Sequence, residues 1–334
     1  MPRVVLAFDK FRGTATSAEL HDAATAASTA AGWEATAVPM ADGGEGSLDA
    51  VGGANKTTTV AGPLGDPVDA GWRLEGRVAF VEMAAASGLL IAGGPEANDA
   101  VDADTTGTGQ LIARAIELGA RTVHVFLGGS ATTDGGWGAL TALPPAARLK
   151  EIEIVVATDV RTLFVDAARV FGPQKGASRA QVEFLGRRLE RLVQLYQERY
   201  GVDVGDLAGA GAAGGLAGGL AAVGGRIEPG FDVIAEWVGL DGALTGADLV
   251  ITGEGYLDAE SFNGKVVGGV STWAAEQEVP VVAIVGDAEE GLSVPSEVKI
   301  VSLADRFGLE RALAEPTALV TDVVTGLLAG DDGG

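Results

Sequence analysis

Residues 4–9, with the sequence VVLAFD, are followed by the segment KFRGT at 10–14 and by an alanine-rich stretch that runs to about Ala31. A short apolar run bounded by turn residues is typical of a strand buried in a parallel sheet. Thr16 and Glu19 have the spacing of a capping box, which predicts that a helix begins after Thr16. This order of strand, loop and helix is typical of the start of a doubly wound α/β sheet.

The same order recurs after Ala31 and again towards the C-terminal end. EATAVPM at 34–40 predicts a second strand, and DLVITGEG at 248–255 and VPVVAIVGD at 279–287 predict two more. Residues 57–84, in contrast, are rich in turns and short strands, which favours antiparallel pairing. We therefore predict one discontinuous parallel-sheet α/β domain from residues 1–55 and 245–334, with a second α/β domain, residues 56–244, inserted between them.

Composition restricts the classes of function. The 334 residues carry a formal net charge of −23, which disfavours binding to nucleic-acid backbones and to anionic membrane surfaces. The sequence contains no cysteine, so disulfides, thiol catalysis and cysteine-bound zinc are excluded. No segment resembles a secretory signal or an uninterrupted apolar run of about 20 residues. We expect a cytoplasmic protein that binds small molecules and neither nucleic acid nor membrane.

Six glycine-rich segments also contain charged or hydroxyl residues. They are DKFRGT (9–14), ADGGEG (41–46), GGSATTDGG (128–136), GPQKGA (172–177), GAGAAGG (209–215) and TGEGYLD (252–258). Most follow a predicted strand directly, and ligands of open α/β sheets bind beyond the carboxyl ends of the strands. Glycine lets the backbone approach a ligand there, and exposed N–H groups hold phosphate oxygens. We therefore expect these segments to meet in one crevice that binds phosphate.

Standard nucleotide-binding motifs do not explain these segments. The sequence lacks the P-loop pattern GxxxxGK[ST], the protein-kinase motifs HRD and DFG, and the hydrolase pattern GxSxG. GAGAAG at 209–214 fits GxGxxG formally, but the residues before it are short and polar rather than strand-like. A dinucleotide-binding oxidoreductase is kept as an alternative on this match alone.

Taken together, the segments resemble the type I glycerate kinases. The motifs that carry the resemblance keep the family's order from residue 4 to about residue 290. They are DKFRGT, MADGGEG, GPLGDPV, VEMAAASGL, TTGTG, GGSATTDGGWG, FGPQKGA, GAGAAGGL, and DLVITGEGYLD followed by NGKV. Each motif is short, but their common order along the chain is specific to this family.

The resemblance implies that the γ-phosphoryl group of ATP is transferred to a hydroxyl of D-glycerate with Mg²⁺, with 2-phosphoglycerate favoured over 3-phosphoglycerate. It also implies a Rossmann-like parallel-sheet domain formed by both chain ends, with a distinct α/β domain inserted. Residues 142–148 are shorter than the family pattern, and residues 161–169 are altered. These departures leave open a catalytically silent, ligand-binding relative. Whether the chain forms a homodimer is also left open.

Five carboxylates at or just past predicted strand ends are candidates for the chemistry. Phosphoryl transfer needs carboxylates that hold Mg²⁺ and a base that orients the attacking hydroxyl. Asp42 and Asp134 are alternative candidates for the base. Asp159, Glu254 and Asp258 are the candidate Mg²⁺ ligands.

Positive charges and backbone N–H groups are the candidate anion contacts. Arg12 suits the glycerate carboxylate, because its planar guanidinium can bind a carboxylate through two hydrogen bonds. Lys175, which lies in a glycine-flanked segment, is the candidate for a phosphate contact. The other candidate substrate or phosphate contacts are Lys10, Gly43, Gly44, Gly128, Gly129, Ser130, Thr132 and Lys265.

Overall fold

The structure is a computed structural model that describes residues 1–330. The strands, in chain order, are β1 (Arg3–Phe8), β2 (Glu34–Ala37), β3 (Lys56–Ala61), β4 (Pro67–Glu75), β5 (Val78–Glu82), β6 (Thr122–Phe126), β7 (Glu153–Ala157), β8 (Arg226–Glu228), β9 (Leu249–Gly253), β10 (Tyr256–Leu257), β11 (Val281–Val285), β12 (Asp287–Ala288) and β13 (Val298–Ser302).

The α-helices are α1 (Ser17–Ala30), α2 (Ser47–Ala50), α3 (Ala84–Ser87), α4 (Thr106–Glu117), α5 (Trp137–Ala142), α6 (Ala146–Leu149), α7 (Ala167–Phe171), α8 (Arg179–Tyr200), α9 (Ala212–Ala222), α10 (Gly230–Val238), α11 (Leu240–Leu244), α12 (Val266–Glu276), α13 (Leu303–Phe307), α14 (Leu309–Ala314) and α15 (Pro316–Ala329). Short 3₁₀ helices span Phe164–Asp166, Pro173–Lys175 and Ala259–Phe262.

Both chain ends build the first compact unit, which contains residues 1–42 and those from 231 onward. Its parallel sheet has the order β13-β11-β9-β1-β2. The register places Val4 opposite Leu249 and Phe8 opposite Gly253, so the N-terminal strand lies between an early and a late segment of the chain. All residues of β1 from Val4 to Phe8 are buried, as expected for a strand covered by helices on both faces. The prediction that both ends form one parallel-sheet domain is confirmed.

The second unit, residues 43–230, contains a six-stranded mixed sheet in the order β3-β4-β5-β6-β7-β8. β3, β4 and β5 form an antiparallel meander, and β5 to β8 are parallel. The antiparallel pairing predicted for residues 57–84 is therefore confirmed. The parallel strands bring the segments after β6 and β7 to the same edge of this sheet.

The boundaries between the two units lie after residues 42 and 230, whereas the sequence predicts boundaries near residues 55 and 245. Residues 43–55 belong with the second unit, where Glu82 of β5 accepts hydrogen bonds from the N–H groups of Gly46 and Leu48, each at 3.2 Å. Residues 231–244 belong with the first unit. There the Phe231 ring packs edge-on against Trp273, with 6.0 Å between the ring centroids.

Two helices begin at capping boxes, and the first of these is the box predicted from Thr16 and Glu19. The Thr16 side chain accepts a hydrogen bond from Glu19 N, and the Glu19 carboxylate accepts one from Thr16 N at 2.9 Å. Ser178 and Gln181 form the same pair at the start of α8. One stripe of α8 is buried and contains Leu185, Leu189, Leu192 and Tyr196. This long helix is therefore fixed at its N-terminus and along one face.

Replacing Thr16 by alanine removes the cap of α1. We expect Thr16→Ala to lower the free energy of unfolding by about 1 kcal/mol, because the N–H group of Glu19 in the first turn loses its acceptor. Thr29→Ala, an exposed position in the last turn of the same helix, is the control and should leave stability within about 0.5 kcal/mol. Urea denaturation measures both variants, and equal losses would contradict the capping role.

Candidate active site

Acidic side chains follow two neighbouring strands of the first sheet. Asp9 comes directly after β1, and Glu254 comes directly after β9, whose last residue pairs with the last residue of β1. The Asp9 N–H donates to the carbonyl oxygen of Gly253 at 3.0 Å. At Gly255 a Cβ atom would lie 3.1 Å from Arg12 N, so the two loops touch through their backbones. The register of the strands therefore places the segments 9–12 and 254–255 side by side.

Burial and mutual repulsion keep protons on two of these carboxyl groups near neutral pH. Burial raises the pKa of Asp9 to about 7, and the nearby charge of Asp42 adds to this effect. Burial likewise raises the pKa of Glu254 to about 7, against hydrogen bonding from Ser261 and the charge of Lys265, which lower it. Asp42 acts on both groups, so Asp9, Asp42 and Glu254 form one acidic cluster.

The acidic cluster contains two residues that the sequence singled out and one that it missed. Asp42 and Glu254 were predicted, whereas Asp9 was noted only as part of its glycine-rich segment. The signal that could have identified Asp9 is its position one residue after the buried strand, which is equivalent to that of Glu254. Lys10 and Lys265 also lie at this edge, because each acts electrostatically on a member of the cluster.

Two of the predicted Mg²⁺ ligands, Glu254 and Asp258, lie in the first unit, where the charge of Asp258 acts on Glu254. Asp258 caps the 3₁₀ helix 259–262, since its Oδ1 accepts hydrogen bonds from Glu260 N at 2.9 Å and Ser261 N at 3.0 Å. Asp159 lies in the second unit, after β7. Glu254 has a buried Oε1 without a hydrogen-bond partner among residues 1–330. In the same described part of the chain, no three or more His, Cys, Asp or Glu residues are grouped to hold a metal ion.

Close backbone packing accounts for two of the predicted glycines of the second unit, Gly43 and Gly128. At Gly128 a Cβ atom would lie 2.7 Å from the Cα of Gly44, and at Gly43 it would lie 2.6 Å from the Cα of Gly230. Gly43 also has a φ of +90°, which side chains disfavour. These glycines bring the segments after residue 42 and after β6 together at the carboxyl edge of the second sheet.

Asp134, one of the two predicted bases, is buried and accepts four hydrogen bonds. Its carboxylate accepts from Thr105 N at 3.0 Å, Thr105 Oγ1 at 2.8 Å, Gly136 N at 3.1 Å and Gly138 N at 2.9 Å. It is 6% exposed. This geometry fixes the start of α5, and three of the four hydrogen bonds are accepted by Oδ2.

Lys175, the predicted phosphate contact, points into the protein. The side chain is 2% exposed, and its Nζ donates to Ser130 Oγ at 2.7 Å and to the Thr132 carbonyl at 2.6 Å. Burial lowers the pKa of Lys175 to about 7, and the charge of Asp134 raises it in part. The glycines that flank Lys175 gave no sign of this burial, because the loop that covers its amine contains Ser130, which lies 45 residues earlier in the chain.

The segment after β6 has an exposed part and a buried part. Gly129 is exposed and Ser130 is 9% exposed, whereas Thr132 and Thr133 are fully buried. Of the predicted phosphate contacts in this segment, Gly129 therefore lies at the surface and Thr132 in the interior. The exposed part is a loop beyond a parallel strand, where open α/β sheets bind ligands.

The segment GAGAAGG does not have the dinucleotide-binding arrangement. No strand precedes it within residues 201–208, and residues 213–215 all have positive φ, including Ala213 at 51°. At Gly214 a Cβ atom would collide with the Thr132 carbonyl. These glycines serve close packing against residues 132–135, so the basis of the oxidoreductase alternative is not present.

Alanine at Gly128 tests the close packing at this edge. We expect Gly128→Ala to lower stability by about 1–3 kcal/mol, because its Cβ meets backbone atoms that cannot rotate away. Gly186→Ala is the control, since that glycine lies in α8 with nothing within 4 Å of a Cβ atom. It should raise stability by about 0.5–1 kcal/mol. Thermal denaturation separates the two, and a neutral Gly128→Ala would contradict the packing argument.

Removing the Asp9 charge tests the acidic cluster. The pKa of Asp9 is raised from 3.8 to about 7, so the folded state binds more protons than the unfolded state between these values. Stability from this group therefore falls as pH rises from about 4 to about 7. We expect Asp9→Asn to raise the free energy of unfolding by about 1–3 kcal/mol more at pH 8 than at pH 5.

Asp22→Asn is the control for this measurement, because Asp22 is an exposed carboxylate on α1 of the same unit. Its effect on the free energy of unfolding should not change appreciably between pH 5 and pH 8. If Asp9→Asn and Asp22→Asn change the free energy of unfolding equally at both pH values, burial of the Asp9 charge does not destabilise the protein, which would contradict the acidic-cluster argument.

Comparisons with known proteins agree on one family. The model of the glycerate kinase family matches residues 4–146 and 144–329. The glycerate 2-kinase of Escherichia coli (strain K12) is 37% identical over 295 residues, covering 77% of this chain and 77% of that protein. The glycerate kinase of Bacillus subtilis (strain 168) is 34% identical over 324 residues, covering 85% of each.

A structural relative agrees with these sequence matches. A crystal structure assigned to glycerate kinase 2 from Salmonella typhimurium LT2 is similar with a TM-score of 0.82 and 33% sequence identity, covering 99% of both chains. None of the helices described for residues 1–330 is both long and apolar enough to cross a membrane.

Proposed function

Since this chain belongs to the glycerate kinase family, we propose that it transfers the γ-phosphoryl group of ATP to a hydroxyl of D-glycerate, with 2-phosphoglycerate as the favoured product. The observation that carries the proposal is the match to family members over nearly the whole chain, including 99% of a solved relative. The chain is a kinase that acts on glycerate. The donor nucleotide, the position of phosphorylation, the metal ion and a cytoplasmic location belong to the proposal.

The acidic cluster of the first unit is assigned to the acceptor hydroxyl. In the reaction, the glycerate hydroxyl oxygen forms a bond to the γ-phosphorus, the bond from that phosphorus to the β–γ bridging oxygen breaks, and ADP leaves. The hydroxyl proton passes to a carboxylate. Asp42 is assigned this role, because Asp134, the alternative, already accepts four hydrogen bonds. Arg12, which is exposed beside Gly255, is assigned to the glycerate carboxylate.

The donor set at the first sheet edge fits a Mg²⁺ ion carried by ATP. Mg²⁺ in kinases is usually held by one or two carboxylates, with phosphate oxygens and water completing the octahedron. Glu254 and Asp9 would hold it. Glu254 has a buried oxygen without a hydrogen-bond partner among residues 1–330. A nearby positive charge would also favour the charged form of both carboxyl groups, which burial disfavours. When bound, the ion would neutralise part of the negative charge on the phosphate oxygens.

The glycine-rich edge of the second unit is assigned to phosphate oxygens. Gly128, Gly129 and Ser130 follow β6, and Gly43 and Gly44 pack against this segment and against the end of β7. Backbone N–H groups in such loops bind anions without a net positive charge. This suits a chain whose formal net charge is −23.

The activity is tested by incubating the purified protein with ATP, Mg²⁺ and D-glycerate. We expect formation of ADP and 2-phosphoglycerate, and ³¹P NMR distinguishes this product from 3-phosphoglycerate. Formation of 3-phosphoglycerate would contradict the proposed position. Binding of ATP and glycerate without turnover would instead favour a catalytically silent relative, and omission of Mg²⁺ tests the metal requirement.

Arg12→Lys tests the contact to the substrate carboxylate. Lysine keeps the charge but loses the planar pair of donors, so we expect the KM for D-glycerate to rise about tenfold, or about 1.4 kcal/mol. The KM for ATP should change less than about twofold. Arg306→Lys, an exposed arginine of α13 in the same unit, is the control. An unchanged KM for glycerate in Arg12→Lys would remove this assignment.

A further inference from the structure

The carbonyl groups of residues 131–135 are held one after another by donors from elsewhere in the second unit. Asn98 Nδ2 donates to the Ala131 carbonyl at 3.0 Å, and Lys175 Nζ donates to the Thr132 carbonyl at 2.6 Å. Arg188 Nη2 donates to the Thr133 carbonyl at 2.7 Å. The phenolic hydroxyl of Tyr196 donates to the Gly135 carbonyl at 2.8 Å. The remaining carbonyl, of Asp134, accepts from the backbone N–H of residue 137 at 3.2 Å.

Most of these donors come from one stretch of the chain. Lys175 lies in the 3₁₀ helix just before α8, and Arg188 and Tyr196 lie in α8 itself. Asn98 joins the same arrangement, because its Nδ2 also donates to the carbonyl of Lys175 at 2.9 Å. Lys175 and Tyr196 are almost completely buried, so both donors are directed into the protein. We call Asn98, Lys175, Arg188 and Tyr196 the carbonyl clamp.

The carbonyl clamp reaches the exposed part of the loop through Ser130. Lys175 Nζ holds the Ser130 hydroxyl at 2.7 Å as well as the Thr132 carbonyl, so one amine fixes two points of the segment. Ser130 follows Gly129, the exposed residue beyond β6. In a trans peptide the carbonyl and the following N–H point in opposite directions. Holding the carbonyls of residues 131–135 therefore fixes the peptide planes that directly follow this loop, and the bond to the Ser130 hydroxyl fixes the last residue of the loop itself.

We infer that Lys175 and Tyr196 are positioning residues that hold the loop Gly128–Ser130 in the conformation that binds the phosphates of the nucleotide, without themselves touching it. This inference rests on the proposed function, in which that loop binds ATP. Lys175 acts through Ser130 and Thr132, and Tyr196 acts through Gly135. On this inference, Lys175 supports phosphate binding indirectly and is not the direct phosphate contact that the sequence predicts.

Tyr196→Phe is the mildest test, because it removes one hydroxyl and keeps the buried ring. We expect the Kd for ADP, measured by calorimetry, to rise about five- to tenfold, while the KM for D-glycerate changes less than twofold. Tyr200→Phe is the matched control, since it removes a phenolic hydroxyl from the same helix that does not bond the loop. An unchanged Kd in a folded Tyr196→Phe protein, or an equal rise in Tyr200→Phe, would overturn the inference.

Lys175→Met and Ser130→Ala, singly and together, separate an indirect role from direct contact. If Lys175 acts through Ser130, the double variant loses less ADP affinity than the product of the two single losses. A loss equal to that product would show that Lys175 does not act through Ser130, the contact that joins it to the loop, and would overturn the inference. If Lys175→Met does not fold, the comparison of Tyr196→Phe with Tyr200→Phe still decides the outcome.

Wild-type measurements separate this inference from the proposed function. Failure of the wild type to phosphorylate D-glycerate, with ADP binding intact, would reject the proposed reaction, and the variants would still test the carbonyl clamp. A wild type that does not bind ADP at millimolar concentration would overturn the clamp's proposed role.

Discussion

The buried carboxylate of Asp134 is the interaction on which the second unit's loop depends. It accepts four hydrogen bonds from Thr105 and from the backbone at residues 136 and 138. A buried charge is tolerated only when it is well paired, so removing one donor leaves a costly group. The charge of Asp134 also acts on Lys175, Arg188 and Tyr196. One carboxylate thus links the start of α5 to the donors that hold the loop after β6.

The buried carboxylates of the two units have different surroundings. In the second unit, the buried carboxylate of Asp134 accepts four hydrogen bonds. In the first unit, Asp9 and Glu254 are buried close to Asp42, and burial raises the pKa of each to about 7. Such unfavourable burial is common where a protein binds a cation or moves a proton. The acidic cluster is therefore suited to chemistry, whereas Asp134 is suited to structure.

Local signals predicted the elements well, because their causes lie within a few residues. The capping box at Thr16 and the buried strand that begins near residue 4 were predicted from the sequence and are present in the structure. The roles of Asp134 and Lys175 could not be read in this way, because their partners, Thr105 and Ser130, are 29 and 45 residues away. The close approach of Gly128 to Gly44 could not be read from the sequence either, because the two residues are far apart along the chain. Tertiary proximity, which no local pattern encodes, decides between a ligand contact and a structural one.

The division of roles between Asp42 and Asp134 is the central claim, and the rate of the chemical step tests it most directly. The single-turnover rate of phosphoryl transfer to D-glycerate should be measured for Asp42→Asn at saturating ATP and glycerate. We predict a rate lower by about 100-fold or more, with ADP affinity unchanged and a melting temperature that is not lowered, because the substitution removes a repulsive charge from the acidic cluster. A folded Asp42→Asn protein that transfers the phosphoryl group at the wild-type rate would contradict it.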